Sequence, residues 1–364
     1  MYIYQNNDWP NFTWNNEIIL SSLGKVRNLQ GLLIGKMGSL GFRLQSEAVL
    51  KTLTLEVQKS TEIEGEILES DQVRSSIARH LRMDVQGLVY SGKDVDGVVD
   101  MMLDATQNFE SPLTADRLFD WHRSLFPTGE NRIHPIEVGK WRSDSSTPMQ
   151  VLSGSMGKEK IHFQAPDAAT MENEMNSFIN WFNNENKLDP VIKAGLAHFW
   201  FVTIHPFDDG NGRIARALSE MLLARSDGIP QRFYSMSAQI RLERKQYYNI
   251  LESTQHGLLD ITPWFEWFLN CLFNALHESS NVLEMVLSKH NFWNKHAVTV
   301  LNSRQILLLN KLLDGFIGKL TSSKWAKIAK CSPDTALRDI NDLIKKDILV
   351  KEEAGGRSTS YVLG

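Results

Sequence analysis

Apolar residues recur every three or four positions through the first hundred residues. In EIILSSLGKVRNLQGLLIGKM and SEAVLKTLTLEVQKS this spacing predicts two amphipathic helices. Ser70-Asp71 offers side-chain oxygens to cap a third, QVRSSIARHL. LTADRLFDWHRSLF keeps the period through Leu113, Leu118, Trp121 and Leu125. Between residues 139 and 165 the pattern changes. Two short runs, MQVL and KIHF, flank Ser-Gly and Met-Gly-Lys, which predicts a β-hairpin at about 148–164. Helical spacing returns in ATMENEMNSFINWFNNE and in DPVIKAGLAHFWFVTIH, where Asp189 is the N-cap and Pro190 the first helical residue. It continues to about residue 300. The last sixty residues or so then read as helix, turn at Ser332-Pro333, helix, and two short strands joined by Gly355-Gly356. That is the order of a winged helix-turn-helix. The pattern predicts a mainly α-helical chain in three parts: a helical N-terminal domain over 1–105, a helical core over 106–285 bearing the hairpin, and a winged-helix domain over 300–364.

Composition changes this picture mainly by exclusion. A chain of 364 residues holds two or three compact units. The formal net charge of −4 gives no global basic field of the kind that draws nucleic acid. Cys271 and Cys331 stand far apart with no metal-ligand spacing, so neither a disulfide framework nor a structural zinc site is expected. The N-terminus lacks a basic stretch before an apolar core, and no apolar run approaches the roughly 20 residues that span a bilayer. A cytoplasmic protein without a membrane partner is expected.

The candidate chemistry lies in HPFDDGNGRIAR, residues 205–216. Gly210 and Gly212 let a backbone approach an anion closely, and the loop opens into a helix whose first N–H groups lack partners. Arg213 and Arg216, three apart, share a face of the first helical turn. Two guanidiniums oppose the positive end of the helix dipole there, and a polyphosphate would supply the missing negative charge. Asp208 and Asp209 add hard oxygen ligands suited to Mg²⁺. His205, at the end of the preceding helix, can accept a proton as a neutral imidazole. These parts suit transfer of a phosphate-containing group to a hydroxyl.

HPFDDGNGR resembles the signature of the Fic family, HPF-x-(D/E)-G-N-G-R, with Arg216 at the second arginine. The resemblance implies a Fic fold with a hairpin flap, and transfer of AMP from ATP to a Ser, Thr or Tyr hydroxyl of a target protein. Related Doc kinases have Ala-Asn-Lys in place of Gly-Asn-Gly. His205 would be the general base, Phe207 a buried anchor and Asp209 the Mg²⁺ ligand. Asn211 with the Gly210 and Gly212 amides would cradle phosphates, and Arg213 and Arg216 would contact the distal ones. Asp208 occupies the variable position. His198, seven residues before His205, reads as a structural residue.

A second stretch, STEIEG at 60–65, resembles the family's inhibitory motif, (S/T)-x-x-x-E-(G/N), formed here by Ser60, Glu64 and Gly65. By that resemblance Glu64 pairs with Arg216 in the space of the γ-phosphate, which makes this an N-terminally inhibited, class II member. On sequence alone Thr61 and Glu64 also spell a capping box at a helix start. The resemblance implies a flap that pairs with an extended target segment, with Ile161 and His162 near the reacting centre. It places the adenine among Tyr247, Tyr248 and Gln255, and implies a homodimer. Removal of AMP with Glu64 positioning water, and transfer of another nucleotide- or diphosphate-linked group, are the alternative activities on this fold. A DNA-binding regulator is the alternative outside enzymology. Against it, TALRDINDLIKK mixes Arg338, Lys345 and Lys346 with Asp339 and Asp342, a thinner basic patch than DNA demands.

Overall fold

The computed structural model describes residues 1–83, 88–130, 135–143, 148–153, 160–313, 316, 318–352 and 359–364. They form two compact units, Met1–Ser280 and Asn281–Gly364. The first unit begins with α1 (Asn16–Gly38), α2 (Phe42–Ile63), α3 (Ser70–His80), α4 (Lys93–Gln107) and α5 (Ala115–Leu125). Next comes a two-stranded antiparallel hairpin, β1 (Gln150–Ser153) and β2 (Lys160–Gln164). It is followed by α6 (Met171–Asn184), α7 (Pro190–Ile204), α8 (Asn211–Asp227), α9 (Met236–Leu242), α10 (Arg244–Gln255) and α11 (Thr262–Lys295), within which the boundary between the units falls.

α7 is the centre of the first unit. Every residue from Val191 to Ile204 is buried, as expected of a helix that is apolar all round. Asp189 caps it, accepting from the Val191 N–H at 2.8 Å, with Pro190 at the first turn. α8 packs antiparallel beside it and is buried from Asn211 to Ala224 except at Gly212. Around this pair the core is aromatic: Phe178 and Trp181 of α6 meet Trp200, and Trp264 and Phe268 of α11 close the far side.

The hairpin pairs Gln150 with Gln164 and Leu152 with Ile161, with a register shift between Val151 and Leu152. Its buried Phe163 meets the rings of Tyr2 and Tyr4 edge-on, so the first residues of the chain brace the strand. The turn glycines of the sequence pattern, Gly154 and Gly157, lie outside the described residues, as do Gly355 and Gly356.

Two local expectations are corrected. Thr61 and Glu64 do not open a helix. Ser60 and Thr61 lie in the last turn of α2 and Glu64 is its C-cap. The apolar spacing runs unbroken to Ile63, which outweighs a four-residue capping pattern. At α3 the cap position belongs to Glu69, which makes no side-chain cap bond, and Ser70 and Asp71 lie in the first turn.

The second unit holds α12 (Ser303–Leu313), α13 (Ser322–Ile328), α14 (Pro333–Lys345), and the antiparallel strands β3 (Leu349–Lys351) and β4 (Tyr361–Leu363). Fully buried Trp325 sits among Leu308, Ile340, Leu343 and Ile348. Ser332 caps α14 ahead of Pro333.

Candidate active site

The loop between α7 and α8 is held in a strained shape. His205 terminates α7 in the left-handed region, at φ 55° and ψ 60°, which a non-glycine residue rarely adopts. Gly210 follows at φ 80° as the N-cap of α8. Phe207 is completely buried, stacked on His122 at 4.2 Å between ring centres. The Asn211 side chain closes the loop upon itself. It accepts from the Phe207 N–H at 3.0 Å and donates to the Phe207 carbonyl at 2.7 Å. Each end of that amide therefore bonds the backbone, so Asn211, which the family resemblance set to cradle phosphates, also shapes the loop.

His205 is half-buried, and burial pushes its pKa down to about 4, against an opposing bond to Val202. Its Nδ1 lies 3.3 Å from the Val202 carbonyl. A carbonyl only accepts, so Nδ1 carries the proton and Nε2 presents a bare lone pair.

Four residues absent from the sequence reading, His122, Glu137, Gly139 and Arg142, set this loop. The Gly139 N–H donates to His122 Nδ1 at 3.1 Å, so His122 Nε2 carries the proton and donates to the Asp209 carbonyl at 3.2 Å. Burial holds His122 neutral, with a pKa of about 4. Asp208, which the sequence reading offered as a hard oxygen ligand and the family resemblance left without a role, accepts from the Glu137 N–H at 2.9 Å. Arg142 donates from Nε to the His205 carbonyl at 2.8 Å. Each of those four is an ordinary residue in an unremarkable stretch, and only proximity marks it.

The end of α2 meets the start of α8. Arg216, 2% exposed, donates from Nε to the Ser60 hydroxyl at 2.9 Å, and from Nη2 to the Ser60 carbonyl at 2.8 Å and Glu64 at 2.7 Å. Burial works against its charge, and Glu64, with Tyr247 and Tyr248, more than offsets this. Arg213 lies over the Phe126 ring and reaches Glu66 at 3.4 Å, an acid the sequence reading did not select. Gly212 lets the Glu64 carboxylate come close: a Cβ there would stand 2.2 Å from Glu64 Oε1 and displace it. Gly65 is required by its φ of +88°, which turns the chain as α2 ends. Arg213 Nε and Arg216 Nη1 are buried without a hydrogen-bond partner among the described residues.

Asp209 sits beside this cluster. Its carboxylate accepts from the Gly210 N–H at 2.6 Å and lies 4.0 Å from Arg213. Among the described residues no group of three or more His, Cys, Asp or Glu side chains is arranged to hold a metal.

Ile161 of β2 is exposed, and His162 Nδ1 meets Glu252 of α10 at 2.6 Å. Lys160 reaches the other Glu252 oxygen at 3.0 Å. Tyr248 of α10 lies against the end of α2, its hydroxyl 3.4 Å from the Ile63 carbonyl. Tyr247 and Gln255, which the family resemblance placed around the adenine, are buried in the core. Tyr247 meets His198 Nε2 at 2.8 Å, and Gln255 donates to Thr203 at 3.2 Å. His198, whose Nδ1 lies 3.0 Å from the Ser219 hydroxyl, is structural as expected.

The family description Fic/DOC family matches residues 112–223, and a domain of unknown function, DUF4172, matches residues 2–83. The chain is similar to the protein adenylyltransferase Fic of Nematostella vectensis, 31% identical over 161 residues, covering 44% of this chain and 32% of that protein. To the protein adenylyltransferase Fic of Drosophila melanogaster it is 28% identical over 267 residues, covering 71% and 47%. The chain thus spans about a third to a half of the length of these curated relatives. The crystal structure of a Fic family protein from Desulfovibrio desulfuricans G20 superposes with a TM-score of 0.54 over 98% of each chain, at 20% identity. The mainly α-helical Fic fold is therefore shared. Among the described residues no helix is long and apolar enough to cross a membrane.

Proposed function

Because the chain carries a Fic/DOC-family domain at residues 112–223, we propose that it transfers AMP from ATP to side-chain hydroxyls of a target protein, restrained by Glu64. The observation that carries this reading is the pair of buried arginines at the start of α8. Arg213 Nε and Arg216 Nη1 have no partner among the described residues, and a buried guanidinium donor left unmade is costly. A triphosphate at a helix N-terminus supplies the missing acceptors.

In this mechanism the hydroxyl oxygen attacks the α-phosphorus of ATP and gives its proton to His205 Nε2. The bond to the β-phosphate oxygen breaks, and pyrophosphate leaves. Gly210 and Gly212 allow the backbone to lie close to the phosphates. Arg213 and Arg216 hold the distal phosphates and take up charge as the bond breaks. Mg²⁺ fits here only alongside nucleotide: Asp209 offers one partly exposed carboxylate, and Mg²⁺ commonly binds one or two carboxylates plus phosphate oxygens. When bound it would neutralise phosphate charge.

Glu64 is suited to restraint. Its side chain is 31% exposed while that of its partner Arg216 is 2% exposed. Departure of Glu64 therefore returns a carboxylate to water, and the arginine is left needing an anion. The hairpin, with Leu152 and Ile161 exposed on paired positions, is read as the strand on which a target segment lies. Residues 300–364 are read as a winged helix that docks a protein partner, and a low-salt gel shift with genomic fragments checks that assignment against DNA binding.

The test is incubation of Glu64→Gly with α-labelled ATP, GTP, UTP and CTP, with His205→Ala as control. Label on protein from ATP alone, lost in the control, is the expected result. Equal label in the control removes His205 from its role, and label from another nucleotide reassigns the transferred group.

A further inference from the structure

We propose that Arg142 is a positioning residue that ties the hairpin to the general base, so that the distance between a target segment on the hairpin and the imidazole is set by one side chain. The inference rests on His205 being the base, as proposed above. Arg142 is buried, 6% exposed. Its backbone N–H donates to the Pro206 carbonyl at 2.9 Å. Its Nε donates to the His205 carbonyl at 2.8 Å, and its Nη2 donates to the Pro166 carbonyl. Pro166 directly follows Ala165, whose N–H bonds the Met149 carbonyl at 2.9 Å and closes the base of the hairpin. One guanidinium therefore joins two segments that the sequence separates by some forty residues.

What it grips on the loop side matters. His205 is in the left-handed region, a conformation that persists only where surrounding contacts over-determine it. Arg142 holds the carbonyl of that residue and of the next. A shift of the hairpin base is thus passed to the peptide that orients the imidazole. The planar fork of arginine presents Nε and Nη2 in fixed geometry, and the single ammonium of lysine cannot span both carbonyls in the same way. Proton transfer needs the hydroxyl within hydrogen-bond reach of Nε2. Misplacement by about 1 Å can cost about a hundredfold in rate.

Arg142 also places a positive charge beside His205. The other charges facing the imidazole are Asp209 of the loop and Glu64 of the α2 end. Removing the arginine's charge makes the imidazole easier to protonate, which a purely structural bridge would not do.

The experiment uses the full chain in a Glu64→Gly background, with Arg142→Lys and Arg142→Met. Hydrogen exchange is followed in residues 160–166 and 204–207, and self-labelling from α-labelled ATP is followed against pH. Both variants are expected to speed exchange in both segments together. Both should lower kcat about a hundredfold while KM for ATP stays within about twofold. The acid limb of the pH profile moves to higher pH in Arg142→Met and stays in place in Arg142→Lys. Exchange that rises in one segment only, or rates and pH limbs equal to the parent in both variants, overturns the proposal. Should Arg142→Met fail to fold, Arg142→Lys still carries the exchange and kcat readouts. Should the Glu64→Gly parent carry no label, the proposed function falls, while the exchange readout still decides the link.

Discussion

His205 keeps its imidazole neutral far into acid because burial disfavours the charged form, holding the pKa at about 4 against 6.5 for an open histidine. A base of this kind stays competent as pH falls. Self-labelling by the Glu64→Gly protein is therefore expected to hold nearly level from pH 7 to pH 5 and to fall only below that. A rate that halves near pH 6.5 would show an imidazole in water. Asn211 makes a separate demand. Its two bonds to the Phe207 backbone satisfy buried peptide groups, so Asn211→Ala is expected to cost about 1–3 kcal/mol of stability, read as a lower urea midpoint. An unchanged midpoint would leave Asn211 with only the phosphate-facing role that the family resemblance implied. Phe207 was legible as an anchor from its apolar type inside a polar loop. His122 and Arg142 were not, because nothing in WHRSL or GKWRSD states which backbone those side chains will meet.

α2 and α8 each end with the wrong charge for their own dipole. Glu64 and Glu66 sit at the negative end of α2, and Arg213 and Arg216 sit at the positive end of α8. Alone, each is an unfavourable helix end. Facing each other at 2.7 Å and 3.4 Å, they cancel the mismatch. α2 is held in that position by α9 and α10. Glu56 accepts from the Ser235 hydroxyl at 2.7 Å and the Ser237 N–H at 3.0 Å, Arg241 meets Glu62 at 3.0 Å, and Arg244 donates to the Ile63 carbonyl at 2.8 Å. α10 also tethers the hairpin through Glu252, which bridges Lys160 and His162. Glu252→Ala is expected to speed hydrogen exchange in Lys160–Gln164 and to leave KM for ATP within about twofold. Exchange unchanged in that strand would mean that the aromatic contacts of Phe163 suffice. The elements themselves were largely written in the spacing of apolar residues, down to the Asp189 cap. The T-x-x-E pattern misled because a four-residue motif carries no direction, and the long period of α2 simply ran past it.

The residues proposed for the chemistry all lie in the first compact unit, Met1–Ser280. A Glu64→Gly chain ending at Ser280 is therefore expected to label itself within about twofold of the full-length rate, provided circular dichroism shows it folded. Loss of labelling in a folded truncation would make the second unit part of the reaction. Global stability carries its own pH signature. Burial lowers the His198 pKa to about 3, against 6.5 in the open chain. As pH drops below 6.5 the unfolded chain takes up this proton and the folded one does not, so acid favours unfolding down to about pH 3. By pH 5 that difference amounts to about 2 kcal/mol. His198→Gln is expected to be less stable than the parent at pH 7, yet to lose less stability between pH 7 and pH 5 in urea titrations. Equal losses in both proteins would mean that His198 is charged in the fold.

The sequence by itself determined the helices, the hairpin and the 205–216 loop, because each depends on the order and spacing of neighbours along one short segment. It also marked Glu64 as a candidate partner for Arg216. Only the tertiary structure decided that the end of α2 lies against the start of α8, that Tyr247 and Gln255 are packed inside, and that Arg142 and His122 grip the backbone around His205. Those contacts join segments some forty to a hundred and fifty residues apart, and a local pattern holds no record of what distant backbone will come within hydrogen-bonding range.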